Sequence, residues 1–308
     1  MAYSAGLSPN AVKTALDDIV VPAYNTKEHP HIATAETEAV FHQDVATNGA
    51  VIWEGIKTGG LWGSRAEEQD VPNANPRVQN QKTFSVLNYA QSIDISKNFF
   101  DDNMHGAYEK AVAGFGLDAR ASRDFHDFGL YRNAFGSTLA HDGVALISNS
   151  HTNMNGDTID NLFTGDLSET TLNTGIVQLF ELRRENGIVG GNVGECLLVS
   201  PADFKLAVEI TESELRQGTS NNDLNVYSAK YGIMVKTSPY LGAVAGGDDD
   251  AFFLLGRNHG NYRFVRQGLQ TTLVDWRFQR NNNYIYKGEF REVVGAYGFD
   301  AIVGSAGA

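Results

Sequence analysis

Residues 50–96 read AVIWEGIKTGGLWGSRAEEQDVPNANPRVQNQKTFSVLNYAQSIDIS, and the way this stretch folds decides the rest of the chain. Two apolar runs rich in branched and aromatic residues, 50–62 and 82–96, flank a polar tract, 63–81, that contains Gly63, Pro72 and Pro76. Runs of that composition bounded by Gly, Pro and Asn read as strands, and the simplest structure is a long β-hairpin with an extended polar tip. A two-stranded hairpin is marginal by itself in water. This one is expected to stand on a partner surface.

On the N-terminal side, Ser8 and Pro9 mark a helix start, Ser as N-cap and Pro at the first helical position, over the amphipathic piece SPNAVKTALDDIV (8–20). Residues 22–43, PAYNTKEHPHIATAETEAVFHQ, have few sustained apolar periods and read as an extended arm that needs a neighbour to hold it. On the C-terminal side, residues 96–135 read as helix. Phe125, Phe128, Tyr131 and Phe135 recur at three and four residues and form one aromatic stripe for the core. Gly114 and Gly116 are expected to interrupt an earlier helical stretch from Met104 to Val112.

Further on, Asp166 with Glu169 has the spacing of a capping box ahead of Leu172, Ile176, Leu179 and Phe180, which share one face. Ser200, Pro201 and Asp203 open a second helix carrying Phe204, Ala207 and Ile210. Between the two, CLLVS (196–200) is a short buried strand. Beyond 224 the chain turns to strands, and no fixed-period repeat is present. The order of arm, hairpin, helix, mixed middle and β tail makes an α+β chain.

At 308 residues with 42% hydrophobic content, the chain builds one large domain or two modest ones. Its net charge of −13 excludes coating nucleic acid through a basic surface, because phosphate binding needs clustered Lys and Arg. The single Cys196 lies in an apolar run and reads as a buried structural thiol, which excludes an intrachain disulfide and a cysteine-based zinc site. The start, MAYSAGLSPNAV, lacks the basic and apolar regions of a signal peptide, and no apolar run is long enough to span a bilayer. The expectation is a soluble, cytoplasmically made protein with no membrane partner.

The stretches that invite chemistry have plainer readings. GIVGGNVGE (187–195) follows the charged ELRREN and precedes a strand, the reverse of a dinucleotide loop, so it reads as a helix C-cap and loop. His29, His31 and His42 lie in the polar arm and read as solvated, not as metal ligands. Asp248, Asp249 and Asp250 lack the alternation and closing Glu of a calcium loop and read as a solvated turn. There is no Gly-x-Ser-x-Gly elbow, and Asp101 and Asp102 are adjacent, so on a helix they diverge. No catalytic residue, cofactor or metal is expected, and the chain is not read as an enzyme. In HDGVALISNSH (141–151), Asp142 and Gly143 read as a turn, Val144–Ile147 as a short buried strand, and His151 as a structural residue without a nameable partner.

Taken in order, IWEGIKTGG (52–60), KTFSVLNYAQSIDISKNFFDDN (82–103), LYRNAF (130–135), HDGVALISNSH, GDLSETTL (165–172), LLVSPADFKLA (197–207), LNVYSAKYGIMVKTSPYL (224–241) and FFLLG (252–256) to WRFQRNNNYIYKGEF (276–290) carry a resemblance. Each motif is weak alone, and their order and spacing carry it. Over residues 40–300 the sequence resembles the major capsid proteins of tailed bacteriophages, with the Hong Kong 97-type fold.

The resemblance implies an N-terminal arm (1–44), an extended β-hairpin loop with its base (45–96), a peripheral domain including a spine helix (97–154), an axial domain (155–260), and return strands of the peripheral domain with a C-terminal segment (261–308). It implies self-assembly into pentamers and hexamers of an icosahedral shell around double-stranded DNA, formed in the host cytoplasm and found in the virion. Implied partners are further copies of the chain, a separate scaffolding protein, a portal, a decoration protein and, without specificity, packaged DNA, to which acidic walls adhere little. Some members crosslink a hairpin lysine to a neighbour's asparagine. The tip 63–81 contains no lysine, so no crosslink is expected. Candidate contacts between subunits are Trp62, Arg65, Glu67, Glu68 and Arg77. The alternatives are an encapsulin-type nanocompartment shell, which shares the fold, and more remotely a β-rich phage tail or binding protein, against which the helical stripe at 125–135 argues.

Overall fold

The structure is a computed structural model that describes residues 8–26, 29–57, 59–71, 73–74, 76–98, 105–214 and 224–307. Asp101, Asp102 and Met104 lie outside them.

Helix α1 (Pro9–Tyr24) starts as its sequence dictates, with Ser8 Oγ accepting a hydrogen bond from the Ala11 amide at 3.4 Å and Pro9 in the first turn. Val12, Leu16 and Val20 recur every four residues and are buried. They meet α2 (His105–Asp127), which runs unbroken through Gly114 and Gly116. The expected interruption is absent, and Gly116 has another purpose. A Cβ there would sit 2.5 Å from the Val20 carbonyl oxygen, so the glycine lets the two helices touch. Gly116→Ala is expected to destabilise the chain by about 1–3 kcal/mol, read as a lowered urea midpoint, while Gly114→Ala, which faces open space, stabilises it or changes nothing.

The aromatic stripe falls across the end of α2 and the short α3 (Gly129–Arg132). Phe128 and Tyr131 are fully buried and Phe135 packs beside them. Phe125 departs from the stripe: it is 40% exposed, with the Arg132 guanidinium over its ring at 4.1 Å.

The arm is held by its own chain, which corrects the expectation that it needs a neighbour. The Ala33 amide donates to the Thr237 carbonyl at 2.7 Å, the Thr237 amide donates to His31 at 2.9 Å, and the Ala35 amide donates to Asp124 Oδ1 at 3.0 Å. Val40 and Phe41 are fully buried.

One sheet has four strands: β1 (His42–Val45), β11 (Asn261–Val274), β12 (Asn283–Ala296) and β4 (Leu87–Ser96), in that order, with β1 parallel to β11 and the others antiparallel. The hairpin is β2 (Ala50–Lys57) with β3 (Arg77–Ser85). Its second strand therefore starts inside the polar tract, and 82–96 is not one hairpin strand. It breaks at Val86, whose amide donates to the Gly49 carbonyl at 2.9 Å, and continues as β4 in the larger sheet.

The second sheet has five strands: β7 (Leu162–Phe163), β13 (Ile302–Ser305), β10 (Phe252–Gly256), β8 (Gly194–Val199) and β9 (Met234–Thr237). It is covered on both faces, so its central strands are apolar throughout. Leu197, Val199, Phe252 and Leu254 face one core, against α4 (Glu169–Glu181) and α5 (Phe204–Thr211). Cys196, Leu198, Phe253 and Leu255 face another, against Phe41, Phe128 and Tyr131. Cys196 is a buried free thiol, as expected, with its pKa pushed up by burial to about 12.

Three local expectations shift by a few residues. The capping box of α4 is Ser168 with Thr171, not Asp166 with Glu169: the Thr171 amide donates to Ser168 Oγ at 3.1 Å and the Ser168 amide donates to Thr171 Oγ1 at 2.8 Å. Leu172, Ile176 and Leu179 are buried, but Phe180 turns outward, 54% exposed. Helix α5 begins at Phe204, and Ser200 and Pro201 form the turn before it. A two-stranded ribbon, β5 (His151–Thr152) with β6 (Thr158–Ile159), completes the strands.

Candidate functional site

The hairpin alternates as a strand pair must, and its two faces differ. On the inner face, the Trp53 ring lies 4.4 Å from Tyr262 and 5.4 Å from Tyr297, while Phe84 lies 5.7 Å from Phe264. Gly295 on β12 leaves room for Phe84, whose ring would meet a Cβ there at 2.1 Å. Lys82 pins the second strand by donating to the Ala296 carbonyl at 2.7 Å and to the Leu139 carbonyl. Burial pulls its pKa down to about 8 despite the attraction of Asp142.

The outer face has no such cover. Ile52, Ile56 and Val78 stand 58%, 62% and 61% exposed, and Ile56 and Val78 are direct cross-strand partners. Of the expected contacts, Trp62 is 98% exposed at the tip. Arg65 and the Ala66 amide both donate to Gln69, closing a small loop that puts Glu67 in solvent and Glu68 in a left-handed conformation, φ 67°. Arg77 pairs in register with Lys57 where the two strands begin to separate. The five residues are thus spread along the projecting end of the hairpin. They form no joint site on their own chain.

The connector 141–151 contains what sequence reasoning missed. The expected strand Val144–Ile147 is absent. The segment folds as turns, with Leu146 and Ile147 buried and their amides donating to Thr138 and Ala134 at 2.8 and 3.0 Å. The turn brings Asp142 onto His151, Oδ2 to Nδ1 at 2.8 Å, and His151 stacks on Phe299 with ring centres 4.1 Å apart. Asp142 is held below the usual carboxylate range because the His151 contact and the Val144 amide outweigh its burial. His141 Nε2 sits 2.7 Å from Glu185 Oε1. Burial opposes its charge, but Glu185 and the Tyr297 carbonyl prevail and raise its pKa. Asp300 beside them is pushed up to about 6, by burial first and then by Glu185. Each histidine has a carboxylate partner and neither faces an open cleft.

A second buried network joins the arm, α2 and the four-stranded sheet. Arg263 lies between Asp127, at 3.0 Å, and Glu292, and donates to Gln43 at 3.0 Å. Arg123 reaches Glu36 at 2.7 Å and the Tyr24 hydroxyl at 3.1 Å. Burial raises the pKa of both Asp127 and Glu292 despite Arg263, helped by repulsion from Glu292 at Asp127 and from Asp124 at both.

Of the Gly-rich stretch 187–195, residues 187–193 lie in the loop after α4 and Gly194 and Glu195 open β8. The helix is capped by Leu182 and not by a glycine, and the Gly190 and Gly191 amides donate to the Leu182 and Phe180 carbonyls at 2.7 and 3.2 Å. Among the described residues, no three His, Cys, Asp or Glu side chains are grouped as a metal site, and no helix is long and apolar enough to cross a membrane. His42 stacks on His259 at 4.2 Å, whereas His29 and His31 lie 5.5 Å apart.

No family model matches the sequence, and no curated protein resembles it. Solved structures do. The chain is similar to one from the mature capsid of bacteriophage PhiM1, at 12% identity and a TM-score of 0.58, covering 92% of this chain and 89% of that one. It is similar to the capsid of the cyanophage P-SCSP1u, at 9% identity and a TM-score of 0.58, covering 92% and 91%. A virus-like particle from Pyrococcus furiosus aligns at 10% identity and a TM-score of 0.56, covering 96% and 99%. Likeness at such identities speaks for architecture, and the architecture of this α+β chain is the Hong Kong 97-type capsid fold.

Proposed function

We infer that the chain is the major capsid protein of a tailed phage, which self-assembles into pentamers and hexamers of an icosahedral shell enclosing double-stranded DNA. The observation that carries this reading is the hairpin of a capsid-fold chain, anchored on one face and exposing Ile52, Ile56 and Val78 on the other. A cross-strand Ile–Val pair held in water stabilises its own hairpin only modestly and gains much more by burial against a neighbour. In this reading residues 1–44 are the arm, 45–96 the extended loop, 97–154 and 261–308 the peripheral domain, and 155–260 the axial domain. Trp62, Arg65, Glu67, Glu68 and Arg77 are then contacts at the outer end of the loop. Lys82, the lysine nearest the tip on β3, is engaged with two carbonyls, which supports assembly without a covalent crosslink. The chain is a building element and not a catalyst. Its partners are a separate scaffolding protein, a portal and a decoration protein, and its place is the virion shell, assembled in the host cytoplasm.

The likeness to the Pyrococcus particle favours a second reading, a nanocompartment shell of encapsulin type. Expression with and without the neighbouring genes, followed by negative-stain microscopy and analysis of the contents, tests both. Closed shells that package DNA when the neighbouring genes are present are the expected result. Shells filled with a co-expressed enzyme favour the second reading, and monomers under every condition overturn both.

A further inference from the structure

We propose that neighbouring copies dock head to tail through their five-stranded-sheet units, Val244 of one copy seating in a hollow beside Val193 of the next. The inference rests on the assembly reading above and names a surface for it.

Val244 stands fully exposed, at 103%, at the apex of the turn Gly242–Asp249. The turn is rigid. Ala245 and Gly247 both donate to the Gly242 carbonyl, at 3.0 and 3.1 Å, and Asp249 Oδ1 accepts from the Ala243 amide at 2.9 Å. Gly247 is required, since a Cβ there would lie 1.8 Å from the Leu241 carbonyl oxygen. A branched apolar side chain fixed in water on a stiff turn of small residues is a knob, and burial is what it gains from.

The hollow holds about 300 Å³ and is walled by Ile176, Val177, Phe180, Val193 and Tyr231. It explains why α4 carries Val177 and Phe180 on a side that its own core does not use.

Charge separates the two ends in the same sense. Asp249 closes the turn that carries the knob, Asp248 and Asp250 flank it in sequence, and Asp203 is close enough that, after burial, repulsion from Asp250, Asp166 and Asp249 raises its pKa. Next in sequence to the lining residues, Arg184 and Lys230 are exposed, Arg183 lines the adjoining groove with Asp160, and Glu181 on the rim opposes them. Strand β8 runs from one to the other: Gly194 lines the hollow, and Ser200, just past Val199, donates to the Asp249 carbonyl. Six strand residues span about 17 Å, so a copy cannot fill its own hollow. A contact between unlike patches is heterologous, and such contacts give rings where the rotation between copies closes and open filaments where it does not.

The test is the full-length Val193→Cys/Val244→Cys chain, assembled and then mildly oxidised. Both positions are exposed, and native Cys196 is buried and silent. A non-reducing gel is expected to show a ladder ending at closed five- and six-membered rings, absent from either single variant. Asp248→Lys/Asp249→Lys/Asp250→Lys in the same background lowers ladder yield roughly tenfold, and Arg183→Glu/Arg184→Glu added to it restores the yield. Shells that form without a ladder, with the Val193→Cys thiol open to a water-soluble maleimide or shielded by something else, overturn this surface and leave the assembly reading standing. A chain that never assembles removes both.

Discussion

The Ile56→Glu/Val78→Lys chain is expected to fold as the parent does and to form no shells. Both side chains are exposed on the outer hairpin face and lie directly opposite one another, so opposite charges keep the cross-strand pair favourable while removing its apolar surface. Full burial of an Ile or Val side chain contributes about 1.5–3 kcal/mol, and a charged replacement adds a desolvation cost at the same contact. The loss recurs at every hairpin of a closed lattice, so a modest deficit per subunit abolishes the whole. Far-ultraviolet circular dichroism and a urea midpoint close to the parent's establish folding, and sedimentation shows whether particles form. The conservative Ile56→Val/Val78→Ile chain should assemble. Particles at parental yield from the charged variant would place the assembly surface elsewhere.

Arg263→Ala is expected to cost about 3–5 kcal/mol of subunit stability near neutral pH, the range for breaking a buried ion pair from one side. It leaves Asp127 and Glu292 facing each other in the interior without their cation. The pH dependence has a definite sign. Both carboxyls have folded-state pKa values above their unfolded ones. Their contribution to stability is therefore fully present at acid pH, below the ordinary carboxylate range, and is lost as pH rises through the raised values. Removing Arg263, which pulls both values down, increases that loss, so the deficit shrinks on acidification and grows as pH rises through the raised values. Asp127→Asn works the other way, flattening the alkaline fall of the parent. Urea midpoints of the unassembled subunits across pH check both, and a deficit independent of pH would show that Arg263 acts through packing alone.

Much of the architecture was legible because it is local. Ser8 and Pro9 declare a helix start wherever they lie, and the strands at Cys196–Val199 and Phe252–Leu255 announce burial on two faces by being apolar throughout. What was missed depends on partners distant in sequence. Within 82–96 the apolar alternation changes phase at Val86–Leu87, from Phe84 and Val86 to Leu87, Tyr89, Ile93 and Ile95, which marks a break but not the distant strand β12 that the second half joins. Gly116 has the composition of a helix breaker, and only the arrival of α1 reveals a contact site. The Asp166–Glu169 and Ser168–Thr171 spacings lie two residues apart, and side-chain geometry chooses between them. His151 finds Asp142 only because the connector doubles back, a path set by its hydrogen bonds to Ala134 and Thr138 in the turns after α3. The outer hairpin face is implicit in the spacing of Ile52 and Ile56, although the Glu54 between them and the charged tip beyond give that strand no purely apolar side.

The four-stranded sheet also sets a schedule. Strand β4 ends at Ser96, yet its partner β12 begins at Asn283, and the hairpin's footing needs Phe264, Gly295 and Tyr297. A polypeptide emerging from the ribosome presents the hairpin sequence long before it presents the bed on which that hairpin lies. Pairings so distant along the chain close late. The sticky face consequently acquires its direction only when synthesis is almost finished, and a prematurely terminated product never points it outward. On the assembly reading proposed above, the outer face of the hairpin is oriented only in the finished subunit.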